Sequence, residues 1–251
     1  MSGILDDKVA LVTGATRGLG RAIAEGLAAA GATVVVASRK IEACREVADQ
    51  IATVYGVRAY PLALHVGRWD AIEPAIDQVI ADLGGLDVLV NNAGVALVAP
   101  SMTDVGEAMF DKIIDVNLKG PFRLIAIAGD RMKRAGGGSI INISSIGAVR
   151  PSPPEAAYAA SKSGLNALTM AAAQDFAPTV RVNGVMPGAF ATDMATDWDE
   201  EFVGLVTNRL PMARLGDPAE IAGLVVHLAS DQAGYTTGAV IPVDGGRTAV
   251  Y

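Results

Sequence analysis

Cysteine is all but missing from this chain of 251 residues: Cys44 stands alone, so no disulfide can close within it. Histidine is nearly as scarce, with His65 and His227 only, and aromatic residues make up 5%. No cluster of cysteine or carboxylate surrounds His65, and no metal site is expected. Apolar runs stop well short of the ~18 residues that a membrane-spanning helix needs. Basic stripes are also lacking, and the net charge of −7 gives no support to nucleic-acid binding. The first apolar run begins too early to leave room for a signal peptide. Repeats, low-complexity tracts and interdomain linkers are absent as well. These absences point to a soluble cytoplasmic protein with one domain over residues 1–251. Cys44 is expected against a helix face, and His227 in a packed core.

What is abundant is small and aliphatic. Hydrophobic residues reach 51% with few aromatics, so the core must be built from Ala, Val, Ile and Leu. Short apolar runs at 9–12, 33–37, 58–64, 87–91, 139–143, 180–186 and 240–243 read as strands. Helical patterns lie between them, notably at 41–55, 69–83, 103–134, 155–176 and 218–230. Such alternation requires crossover connections, hence an α/β fold with a parallel sheet covered on both faces. Gly136-Gly137-Gly138 reads as a helix stop before the fifth strand.

Two local patterns carry chemistry. Tyr158 and Lys162 are four residues apart, which on a helix places them on one face. An ammonium beside a phenol favours the phenolate, and bringing a phenol to neutrality takes about 4 kcal/mol of differential stabilisation. One lysine supplies that only with help from another cation, such as a bound cofactor ring. A phenol tuned in this way can exchange a proton with an alcohol or carbonyl near neutral pH. Ser145 precedes Tyr158 by thirteen residues. An incidental Tyr and Lys on a surface helix would share the same spacing. The second pattern follows the first strand: Thr13-Gly14-Ala15-Thr16-Arg17-Gly18-Leu19-Gly20 opens an alanine-rich helical stretch. Glycines there let backbone N–H groups approach a phosphate at a helix N-terminus. By itself, a glycine-rich turn is also compatible with any tight strand-to-helix connection.

Together with Asn92-Ala93-Gly94, Asn117, Pro187-Gly188 and Asp244-Gly245-Gly246, these segments resemble the short-chain dehydrogenase/reductase family over essentially the whole chain, particularly its 3-oxoacyl-(acyl-carrier-protein) reductase-like members. The resemblance implies a Rossmann-type doubly wound sheet of about seven strands in the order 3-2-1-4-5-6-7. It implies catalytic roles for Asn117, Ser145, Tyr158 and Lys162. Tyr158 would exchange the proton, Ser145 would bond the reacting oxygen, and Lys162 would tune the phenol and hold the nicotinamide ribose. Asn117 would anchor a water linking Lys162 to solvent, or satisfy backbone groups at a helix kink. Cofactor contacts are implied for Gly14, Thr16, Arg17, Gly18, Leu19, Gly20, Ser38, Arg39, His65, Val66, Asn92, Ala93, Gly94, Pro187, Gly188, Phe190 and Thr192, alongside Tyr158 and Lys162. His65 departs from the family, which generally has Asp-Val where this chain has His65-Val66.

Cofactor choice turns on the residues after the second strand. An NAD-preferring site places an acid there for the ribose hydroxyl. This chain has Ser38-Arg39-Lys40, with Arg17 in the glycine turn, and guanidinium groups suit a 2′-phosphate. NADP(H) is therefore expected over NAD(H). The stretch 189–212 resembles a substrate lid, carrying Met194, Trp198 and Phe202 beside Asp193, Asp197, Asp199, Glu200 and Glu201. Substrates compatible with this include a 3-oxoacyl thioester, a small ketone, a sugar or a polyol. Arg131, Lys133 and Arg134 could form part of a docking patch for an acidic acyl carrier protein, but the acidic lid and Gln174-Asp175-Phe176 oppose it. Binding a dinucleotide as a sensor, without catalysis, is the alternative class. Apolar helices at 103–134 and 155–176 need cover on both sides, and the resemblance implies a homotetramer.

Overall fold

The structure is a computed structural model that describes residues 3–192 and 199–250. Of the lid expectation, Asp193, Met194, Asp197 and Trp198 lie outside the described residues. Strand β1 (Val9–Thr13) is buried along its whole length between β2 (Thr33–Ser38) and β4 (Val88–Asn91). Leu11 aligns with Val35 on one side and with Leu89 on the other. Alternate side chains serve opposite faces: Ala10 and Val12 enter one core, Val9 and Leu11 the other. A strand covered on both faces has no solvent side, which is why it reads as an unbroken apolar run.

With β3 (Ala59–Ala63), β5 (Gly138–Ile143), β6 (Val180–Pro187) and β7 (Val240–Val243), the strands form one parallel sheet ordered β3-β2-β1-β4-β5-β6-β7. The order matches the expectation. The helices are α1 (Gly18–Ala29), α2 (Ile41–Tyr55), α3 (Trp69–Leu83), α4 (Glu107–Ile114), α5 (Gly120–Ala135), α6 (Ala156–Phe176), α7 (Glu200–Thr207) and α8 (Pro218–Ala229). Helices α1, α2 and α8 pack on one face of the sheet, and α3, α5 and α6 on the other. Cys44 is buried in α2 with its thiol directed at the Leu62 carbonyl, 3.3 Å away. Gly136, in the left-handed region at φ 104°, ends α5 as its glycines suggest. No helix among the described residues is long and apolar enough to cross a membrane.

Three expectations are corrected. The stretch 103–134 is not one helix: α4 passes through a widened π turn at Asp115–Lys119 before α5 begins. Pro121 has no N–H to donate to the Asn117 carbonyl four residues back, so regular helical bonding cannot continue there. Second, His227 is exposed, because the buried face of α8 is made by Ile221, Ala222, Val225, Leu228 and Ala229. Third, the basic residues late in α5 do not form a free patch. Arg131 is ion-paired with Glu73, Asp77 and Asp130, and Arg134 with Asp130. Lys133 donates to the Asp175 carbonyl.

Candidate active site

Strands β1 and β4 are adjacent in space, yet the connections leaving them run to opposite faces of the sheet. A crevice must open above their C-terminal ends, where doubly wound sheets bind ligands. The side of this crevice is built first from Thr13. Its hydroxyl donates to the Val90 carbonyl and accepts the N–H groups of Asn92 and Ala93, both at 3.0 Å. The Asn92 amide in turn donates to the Thr13 carbonyl at 2.9 Å and to the Gly14 carbonyl at 3.3 Å. Gly14 adopts φ +66°, a backbone that turns the chain toward α1. Gly20 meets the Asn92 amide and the Gly14 carbonyl so closely that a Cβ there could not fit. The glycine turn is thus a cradle that side chains would fill.

Past the end of β5, Ser145 turns the chain, its hydroxyl accepting the Gly147 N–H at 3.0 Å. Tyr158, in the first turn of α6, lines the same cavity as Ser145. One turn further along α6, Lys162 is 4% exposed and its ammonium donates to the Ile143 carbonyl at 2.8 Å. The same ammonium lies 5.9 Å from the Tyr158 ring centre. Burial pushes the Lys162 pKa down from 10.5 to about 8. For Tyr158 the net direction is upward: burial raises it, the Ser145 hydroxyl lowers it, and the charge of Glu155 raises it again. The protein alone therefore does not make this phenol acidic. Lysine loses leverage because the same burial that shields the phenol also disfavours the ammonium.

Asn117 sits behind this wall, fully buried in the π turn. Its side chain accepts the Val95 N–H and donates to the Val95 carbonyl, both at 2.8 Å, and also reaches the Ser161 hydroxyl at 3.2 Å. It fastens the segment after β4 to α6. Asn117 is the buried residue of that widened turn.

All the remaining predicted residues meet along one cavity of about 380 Å³, within the usual range for small-molecule sites. Gly14, Thr16, Arg17, Gly18, Leu19 and Gly20 line it from the glycine turn, and Ser38 and Arg39 from the end of β2. His65 and Val66 follow β3, Asn92, Ala93 and Gly94 follow β4, and Ser145, Tyr158 and Lys162 form the opposite side. Pro187, Gly188, Phe190 and Thr192 close it from β6. Phe190 is buried and its segment bridges to Gly216. Sequence reading missed Lys112, Val116 and Ala96, which also line the cavity. Val116 and Lys112 sit one helical turn apart just before Asn117, and that spacing was the available signal. Among the described residues, no Asp or Glu lines the cavity, while Arg17, Arg39, Lys112 and Lys162 do. Neither Arg17 nor Arg39 has an ion-pair partner there. In a chain of net charge −7, such a lining fits an anionic ligand.

Comparison with known proteins agrees with this geometry. A family model described as enoyl-(acyl carrier protein) reductase matches residues 14–248. A 3-oxoacyl-(acyl-carrier-protein) reductase of Aquifex aeolicus is 37% identical over 247 residues, covering 96% of this chain and 98% of the relative. Its counterpart in Staphylococcus aureus is 40% identical over 242 residues, covering 95% and 97%. Among solved structures, a putative short-chain alcohol dehydrogenase from Sinorhizobium meliloti has a TM-score of 0.94 at 41% identity, covering 98% of each chain. A gluconate 5-dehydrogenase from Burkholderia cenocepacia, in complex with NADP and tartrate, has a TM-score of 0.94 at 32% identity and covers 100% of this chain and 99% of its own.

Proposed function

The chain belongs to the short-chain dehydrogenase/reductase family of oxidoreductases acting on CH–OH and C=O groups, and on that premise we propose that it interconverts a small carbonyl compound and its secondary alcohol with NADP(H). One observation carries the proposal: the Tyr158 and Ser145 side chains share a cavity with the glycine cradle and a buried Lys162. When bound, the nicotinamide would supply or accept the hydride and, in its oxidised form, add positive charge beside the phenol.

The protein's own residues do the rest. In reduction, Tyr158 gives its proton to the carbonyl oxygen, and the Ser145 hydroxyl donates to that oxygen as charge develops on it. A phenol whose pKa is raised by burial remains protonated at neutral pH and is ready for this direction. In oxidation, Tyr158 must first lose its proton, so that direction is favoured by higher pH. Lys162 spends one N–H on Ile143 and keeps two for the ribose hydroxyls of the cofactor. Asn117 holds Val95 and α6 together, which fixes Lys162 with respect to Gly94. The glycine turn and the N-terminus of α1 take the pyrophosphate. Arg17 and Arg39 take the 2′-phosphate, while Ser38 bonds the Thr16 hydroxyl at 3.3 Å and ties the two segments together. Among the described residues, the cavity lacks the acid that would favour the unphosphorylated ribose.

A small substrate is favoured over one carried by an acidic protein, because the α5 arginines are already neutralised by Glu73, Asp77 and Asp130. A 3-oxoacyl thioester is the second reading, supported by the names of relatives at 37–40% identity. Phe110, Phe122 and Met170 leave exposed apolar surface on α4, α5 and α6, which a homotetramer would cover. The test is loss of NADPH absorbance with a panel of 3-oxoacyl thioesters, ketones, ketoses and keto acids. Turnover of any of these supports the reading. Binding of NADPH with no turnover across the panel would favour a sensor instead.

A further inference from the structure

His65, Val66, Lys112 and Val116 line the cavity, and with the pyrophosphate on the glycine turn the base would fall beside His65 and Val66, after β3. The Gly67 N–H lies 3.1 Å from His65 Nδ1. A backbone N–H can only donate, so Nδ1 is the accepting nitrogen and the proton of the neutral ring sits on Nε2. Gly67 permits this close approach: a Cβ there would lie 3.1 Å from the imidazole Cε1 and 3.4 Å from Val116 Cγ2. Lys112 has nothing but donors, and no carboxylate lines the cavity among the described residues.

We propose that His65 makes the base subsite a hydrogen-bond donor, so that a dinucleotide carrying a 6-oxopurine is accepted about as well as one carrying adenine. This rests on the dinucleotide reading above. Adenine presents a donor amino group at its six-position and acceptors at its ring nitrogens. Hypoxanthine replaces the amino group with an acceptor oxygen. A carboxylate at position 65 would favour the amino group and repel the oxygen. The imidazole N–H reverses that polarity, since it can meet the oxygen or a ring nitrogen but has no lone pair left for the amino group.

The experiment compares binding of NADP⁺ with that of its hypoxanthine analogue, by calorimetry, to the wild-type protein and to His65→Asp. Long-range nitrogen NMR of the free wild-type protein reads the tautomer of His65. The expected results are Kd values within about threefold of each other for wild type, a bare Nδ1, and a preference of roughly tenfold for adenine in His65→Asp. A wild-type preference for adenine of about tenfold or more, or a proton on Nδ1, overturns the proposal while leaving the dinucleotide reading intact. An unchanged ratio in His65→Asp does the same. Failure of both dinucleotides to bind wild type overturns the dinucleotide reading itself, and this inference with it.

Discussion

At the scale of single residues, burial decides the charge state of the site. Lys162 is 4% exposed and its pKa falls from 10.5 to about 8. In the unfolded chain this lysine stays protonated over a range where the folded protein has released the proton. Stability therefore rises with pH between about 8 and 10.5, by on the order of 3 kcal/mol. Below pH 8 both states are protonated and that stability is missing. Urea titrations at pH 7.5 and 9.5 should show the wild-type protein gaining on Lys162→Met as pH rises; parallel pH dependence would contradict the assignment. Arg39 gives a second residue-scale test. Its exposed guanidinium has no ion-pair partner among the described residues, so Arg39→Ala should lower kcat/KM for NADPH by roughly tenfold and leave NADH within about threefold. Equal losses with both cofactors would place Arg39 outside the 2′-phosphate site.

Elements show why some features were readable in the chain and others were not. Strands β1, β2, β4, β5 and β6 are short apolar runs because both faces of the sheet are covered, and their pattern depends on nothing distant. The break between α4 and α5 has a local cause in Pro121 and a distant consequence. Asn117 reaches back to Val95, 22 residues earlier, and that pairing leaves no trace in local periodicity. The neutralisation of Arg131 by Glu73 and Asp77, from α3, is equally nonlocal. His227 was misplaced for a simpler reason: α8 is apolar enough overall to conceal which side faces out. Glycine turn, Asn-Ala-Gly and Tyr–Lys segments were legible because each is contiguous, whereas the upward direction of the Tyr158 pKa depends on burial created by the fold. Asn117→Ala strips both Val95 backbone groups of their partner, and leaving them unpaired in this half-buried segment should cost roughly 1–2 kcal/mol. A urea midpoint unchanged from wild type would mean that water replaces the side chain there.

For the whole molecule, the notable contrast is between an acidic chain and a cationic cavity. Net charge is −7, yet the cavity lining gathers four cations and no carboxylate among the described residues. Such a site draws in anions against the overall charge, and its attraction should weaken with ionic strength. The apolar faces belong to this scale too. Phe110, Phe122 and Met170 are each nearly half exposed, and Phe122 stacks on Trp69 with centroids 6.1 Å apart. Light scattering should give a mass about four times 25.7 kDa, and Phe110→Asp with Phe122→Asp should reduce it. A wild-type monomer would leave those faces without the proposed cover.

Tyr158→Phe, followed on one preparation by NADPH titration and by turnover of a carbonyl found in the substrate panel, tests the chemistry most directly. Removing only the phenolic oxygen should leave the NADPH Kd within about threefold while kcat falls by roughly 100-fold or more. Turnover within about tenfold of wild type, with the cofactor still bound, would show that the proton comes from elsewhere.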